Sequence, residues 1–97
     1  MDTRNINISF KVHANASDLS DADNDLVLRA REVAATAYAP YSGFRVGAVA
    51  RMPDDKLVMG TNQENASYPI GICAERVLLA AVSSISPGLP IETMAIT

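Results

Sequence analysis

The sequence predicts an α/β domain, because elements of period two and period 3.6 alternate along it. A strand pattern opens the chain at Ile6–Val12, and small apolar residues recur at helical spacing between Ser20 and Pro40. Two short apolar runs then flank the turn-rich Met52–Lys56, at the spacing of a hairpin. With 97 residues there is room for one hydrophobic core and no second, so residues 1–97 are expected to form a single domain.

Ile6, Ile8, Phe10 and Val12 alternate with Asn7, Ser9 and Lys11, which predicts a first strand with one buried face. Residues 1–20 are therefore expected to form a strand and extension ahead of a core over 21–97. Ser20 is placed to cap the first helix, and Asp21, Asp23 and Asp25 suit the positive end of its dipole. Ala22, Leu26, Ala30, Val33, Ala34 and Ala37 form its apolar stripe, and such small side chains imply close approach to a sheet. Pro40 is expected to end the helix, and Tyr41-Ser42-Gly43 to turn the chain.

Phe44–Arg51 and Leu57–Asn62 read as the two hairpin strands. Gly47, Ala48 and Ala50 keep the first of them thin, so that a helix or another backbone can approach. Gln63–Ile72 is an irregular loop punctuated by Pro69 and Gly71, a setting in which chemistry is common. From Cys73 to Ser84 the segment CAERVLLAAVSS is helical in propensity and apolar on most faces after Arg76, which predicts a helix buried inside the fold. Ser86–Pro90 stops it. Ile91–Thr97 is a last strand-like run with no polar tail beyond it, so the chain reads as cut at this point.

Eight basic against eleven acidic side chains give a net charge of -3, which offers no footprint for a nucleic-acid backbone or an anionic membrane. The longest charge-free apolar run, Val77–Ile91, is broken by serines, two prolines and a glycine, and falls short of the ~20 residues a membrane span requires. The N-terminus lacks a basic flank, an apolar stretch and a small-residue cleavage site, so a cytoplasmic protein is expected. The sequons at Asn7, Asn15 and Asn65 then carry no meaning for glycosylation. One cysteine, Cys73, excludes an intrachain disulfide and leaves three roles open: metal ligand, nucleophile or core residue.

Cys73 stands at or just ahead of a helix start, where free N–H groups stabilise a thiolate, although a lone cysteine is more often a small buried hydrophobe. Glu75 follows two positions on. It either complements the helix dipole or serves chemistry, since a carboxylate is badly placed for packing on an apolar helix. The pair fits the first half of a zinc deaminase signature, in which a His or Cys binds zinc and a Glu two residues later moves protons. Three blocks in order make the match specific: Ala39-Pro40-Tyr41-Ser42-Gly43-Phe44-Arg45-Val46-Gly47-Ala48, Gly60-Thr61-Asn62-Gln63-Glu64-Asn65-Ala66-Ser67-Tyr68-Pro69, and Cys73-Ala74-Glu75-Arg76. From about Asp25 to Thr97 the chain resembles the cytidine deaminase family.

The resemblance implies an αβα sandwich with a mixed sheet and helices on both faces, here without its C-terminal part. It also implies zinc-dependent hydrolytic deamination of cytidine or deoxycytidine in pyrimidine salvage. Cys73 would be a zinc ligand and Glu75 the general acid/base. Asn62 and Glu64 would hold the ribose hydroxyls, Phe44 would pack on the pyrimidine, the Ala74 N–H would face the base carbonyl, and Arg76 would offset thiolate charge. The residues alone leave plainer readings open: a capped loop for Asn62 and Glu64, a core side chain for Phe44, and a solvated helix position for Arg76. A homo-oligomer, the tetramer before the dimer, and a small nucleoside substrate are the partners implied.

The chain departs from the family in its metal donors. Catalytic zinc takes three protein ligands and a water, yet the second half of the signature, P-C-x-x-C, is missing and His13 is the only imidazole. The alternative function is therefore a metal-free module that binds nucleoside or assembles with other chains. A cysteine nucleophile ranks last, for want of a partnering base.

Overall fold

The computed structural model describes residues 1–97. A short 3-10 turn at Ala16–Asp18 leads into α1 (Asp21–Ala34), followed by β1 (Gly47–Arg51), β2 (Leu57–Thr61), a second 3-10 turn at Tyr68–Ile70, α2 (Ala74–Ile85) and β3 (Thr93–Ile96). β1 is central in a sheet of order β2-β1-β3, and it pairs antiparallel with both neighbours. The parallel element is an isolated bridge between Tyr38 and Gln63.

The two helices lie on opposite faces of that sheet, as the alternation along β1 requires. Ala48 and Ala50 pack in one cluster with Ala74, Leu78 and Val82 of α2, whereas Val49 between them packs with Leu26 and Ala30 of α1. Gly47 lies on the α1 side, and a Cβ there would come within 2.1 Å of the Ala30 carbonyl oxygen. Gly60 lies opposite Ala48 in the register and faces α2. The thin strand expected from the sequence is thus thin on both faces, with one helix seated on each.

Helix α1 starts as its sequence predicts: the Ser20 hydroxyl accepts from Asp23 N at 3.2 Å. It ends at Ala34, before Pro40 is reached. Past that point the backbone tightens, with Ala35, Thr36 and Ala37 donating to carbonyls three residues back and the Thr36 hydroxyl also donating to Val33 O. The chain is then free to extend, and Tyr38 N donates to Asn62 O while Glu64 N donates to Tyr38 O.

Three expectations are corrected. The strand over Ile6–Val12 does not form: residues 1–12 carry no regular structure, and Ile6, Ile8, Phe10 and Val12 are each more than four-fifths exposed. Alternation makes a segment two-faced, but a strand also needs a neighbouring ladder, and both strands beside β1 leave this segment unpaired. Phe44–Val46 lies outside β1, because the Asn62 side chain takes its backbone groups in place of a strand. Helix α2 buries one stripe, Ala74, Leu78 and Val82, and exposes Leu79 and Ile85, since only the sheet beneath it offers cover.

Candidate active site at the start of α2

Two pieces of backbone bring the exit of β2 and the start of α2 together. Gln63 and Ile72 exchange N–H to O=C bonds of 2.8 and 2.9 Å, closing the intervening loop at its base. Gly60 lets the first turns of α2 sit directly on β2, for a Cβ there would be 2.6 Å from Leu78 N and 2.9 Å from Ala74 O. The result is a cleft of about 850 Å³ lined by Asn62, Glu64, Cys73, Ala74 and Glu75, with Tyr41, Ser42 and Tyr68 among its other walls. No lysine or arginine lines it.

Asn62 and Glu64 are tied to the segment that precedes β1. Asn62 Oδ1 accepts from Val46 N at 2.8 Å and its Nδ2 donates to Phe44 O at 2.9 Å. Glu64 Oε1 accepts from the backbone N–H groups of Tyr41 and Ser42 at 3.0 and 3.1 Å, and its Oε2 accepts from the Ser42 hydroxyl at 2.6 Å. Every one of these partners donates. The Ser42 hydroxyl, with its backbone N–H and that of Tyr41, accordingly holds the Glu64 carboxyl below its ordinary pKa. Gly43, at φ +69°, supplies the left-handed residue that the turn needs.

At the other wall Cys73 is the N-cap of α2, and its carbonyl accepts from Val77 N at 3.1 Å. Its side chain makes no capping hydrogen bond and is exposed, so the buried-hydrophobe reading of this cysteine does not hold. Ala74 begins the helix and is fully buried, and its position in the first turn leaves its N–H without a partner inside the helix. Glu75 is half-buried on the cleft wall. Two of the residues expected here stand apart: Arg76 is exposed, Phe44 is 72% exposed, and neither lines the cleft. Tyr41 and Ser42 stand in the sequence as turn residues within the first matching block, with no site role assigned to them. Nothing local betrays that the Ser42 hydroxyl meets a carboxylate 22 positions on.

A family model for the "Cytidine and deoxycytidylate deaminase zinc-binding region" matches residues 20–97. The chain belongs to this deaminase family. It is 44% identical over 71 residues to a cytidine deaminase of Mycobacterium tuberculosis, an overlap of 72% of this chain and 53% of that protein. A cytidine deaminase of Halalkalibacterium halodurans is 46% identical over 54 residues, covering 56% of this chain and 41% of the relative. The chain thus spans about half the length of the curated relatives it matches. The crystal structure of the M. tuberculosis cytidine deaminase superposes with a TM-score of 0.73 at 38% identity, over 80% of this chain and 63% of that one.

A zinc-binding deaminase family raises the question of whether these residues can hold the metal. A catalytic zinc needs three protein ligands and keeps a fourth position for water or substrate. Nowhere in the chain do three His, Cys, Asp or Glu side chains stand together in reach of one ion. Cys73 is the only thiol, and the only imidazole, His13, lies exposed in the irregular N-terminal stretch. The donor set of these 97 residues does not make a zinc centre by itself.

Proposed function

We propose that the protein serves hydrolytic deamination of cytidine or deoxycytidine to the uridine counterpart, with this chain forming the nucleoside cleft and one wall of the reacting centre. The observation that carries the reading is the convergence of Asn62, Glu64, Cys73, Ala74 and Glu75 on one cleft without a cation in its lining. A cleft with two carboxylates and no lysine or arginine suits an uncharged nucleoside and disfavours a 5′-phosphate.

In this reading Asn62 and Glu64 receive sugar hydroxyls, and the Ala74 N–H donates to the base carbonyl. Glu75 takes a proton from the water that adds at C4 and passes it to the ring nitrogen, then takes the second from the resulting C4 hydroxyl and passes it to the amine, which leaves as ammonia as the carbonyl forms. Cys73 is the one ligand this chain offers to the zinc on which the family's chemistry is expected to depend. Arg76, one position beyond Glu75, would balance local negative charge. The stacking role of Phe44 is the assignment the geometry supports least, as that ring stands outside the lining. Pyrimidine salvage, a cytoplasmic setting and homo-oligomeric assembly, the tetramer first, belong to the same reading. No helix is long and apolar enough to cross a membrane.

A second reading, a metal-free module that binds nucleoside without turning it over or assembles with other chains, is favoured by the missing donor cluster. One measurement tests the nucleoside binding that the readings share, and a second separates them. Amide-detected NMR titration with cytidine is expected to perturb Asn62, Glu64, Ala74 and Glu75, with cytidine 5′-phosphate binding more weakly; a preference for the nucleotide, or no response, overturns the nucleoside assignment. Ammonia release from cytidine, lost in Glu75→Gln, supports deamination when it is measured on a protein in which the zinc ligands beyond Cys73 are supplied. Binding without release supports the module.

A further inference from the structure

Resting on the nucleoside reading, we infer that Ser42 is a positioning residue for Glu64, fixing its carboxylate so that one acceptor site on Oε2 is left for a ligand hydroxyl. A carboxylate has about four acceptor sites. Oε1 receives two backbone N–H groups and is filled, while Oε2 receives one hydroxyl hydrogen and keeps the remaining site.

The Ser42 hydroxyl is oriented by the bonds it makes on both sides. Phe44 N donates to Oγ at 3.0 Å, so the single hydroxyl hydrogen is sent to Glu64 Oε2 at 2.6 Å. The same backbone stretch is held from below by Asn62, through Phe44 O and Val46 N. Ser42 is thus bonded directly to Glu64, and to Asn62 only through the backbone of Phe44. The backbone donors alone fix Oε1 and leave the carboxylate free to swing about that anchor. With the hydroxyl in place the second oxygen is fixed as well. The surviving site accepts only, so it selects a donor such as a sugar hydroxyl. The other titratable groups lining the cleft are Tyr41, Tyr68, Cys73 and Glu75, none of which contacts the Glu64 carboxylate through a side-chain hydrogen bond.

The test uses the 97-residue chain with Glu64 observed by carboxyl-carbon NMR. In Ser42→Ala the Glu64 midpoint is expected to rise towards the ordinary value, and in Ser42→Thr, which keeps the hydroxyl, to stay low. Cytidine affinity is expected to fall about tenfold in Ser42→Ala, the effect of losing a hydrogen bond to a charged group, and to recover in Ser42→Thr. The affinity of 2′,3′-dideoxycytidine, which lacks both hydroxyls, is expected to be the same in all three proteins. An unmoved midpoint and unchanged cytidine affinity in Ser42→Ala overturn the inference, as does an equal loss for the dideoxy compound. If cytidine does not bind the unmodified chain, the nucleoside reading fails and the ligand half of the inference falls with it, while the carboxyl titration still decides whether Ser42 holds Glu64. Should Ser42→Ala unfold, Ser42→Cys, of similar size but a poor donor, gives the same comparison with Ser42→Thr.

Discussion

At Gly60 the absent side chain does as much as any present one. A Cβ there would strike Leu78 N at 2.6 Å and Ala74 O at 2.9 Å, backbone atoms that cannot rotate away. Gly60→Ala is therefore expected to lift the start of α2 from β2, costing about 1–3 kcal/mol or more by overpacking and weakening any ligand that spans Glu64 and Glu75. Gly88→Ala is the control. Nothing lies within 4 Å of that position, so only the strain of φ +76° remains, about 1–2 kcal/mol. Denaturant unfolding of the two variants checks this, and a smaller loss at Gly60 than at Gly88 would mean that the helix moves freely.

Glu64 gives a pH prediction at the same scale. Its carboxyl is held below its ordinary value by Ser42 and by the Tyr41 N–H, so the folded state binds that proton less readily than the unfolded chain does. The stability it adds is present above the ordinary glutamate pKa and is lost as pH falls through the lower folded value. Glu64→Gln is expected to lower stability at neutral pH and to flatten the acid limb of the melting profile. A limb as steep as that of the unmodified chain would show that Glu64 contributes nothing to it. The thin strand around Gly47 was legible in the sequence, because small residues clustered there. Ser42 and Gly60 were not, because what they touch is set by the fold and lies far off along the chain.

Helix α2 shows how far pattern reaches at the scale of an element. Its start was legible to within a residue, from Cys73 followed by a helix-forming run, and so was the Ser20 cap of α1. Which faces of α2 are covered was not, since an apolar composition says only that cover is wanted. Leu78 is fully buried against Ala48 and Ala50, whereas its neighbour Leu79 is 48% exposed. Leu78→Ala is expected to cost about 2–5 kcal/mol, and Leu79→Ala well under half of that. Comparable losses at both positions, measured by thermal or denaturant melts, would place a covering element over the outer face.

At the scale of the whole molecule, the chain is larger than its mass requires. Its radius of gyration is 15.8 Å, against about 12.5 Å for a compact chain of this length. Its accessible surface is 7137 Å², against about 5,400 Å² for a compact monomer of this mass. The N-terminal stretch accounts for part of both excesses, with Ile6, Ile8, Phe10 and Val12 all more than 80% exposed and no backbone hydrogen bond joining residues 1–12 to the sheet. Here the period-two pattern misled, because alternation records which residues belong together on a face and not whether a ladder exists to receive them. Removing residues 1–12 therefore strips no buried area from the core clusters built on Leu26, Val49 and Leu78. The shortened chain is expected to melt within a degree or two of the 97-residue chain and to show a smaller hydrodynamic radius by diffusion NMR. A loss of 1 kcal/mol would lower the midpoint by about 4–8 °C in a domain of this size, so scanning calorimetry resolves the alternative clearly. A drop of that order would mean that these apolar side chains pack against the protein in solution, and the first strand read from the sequence would then have a place in the fold after all.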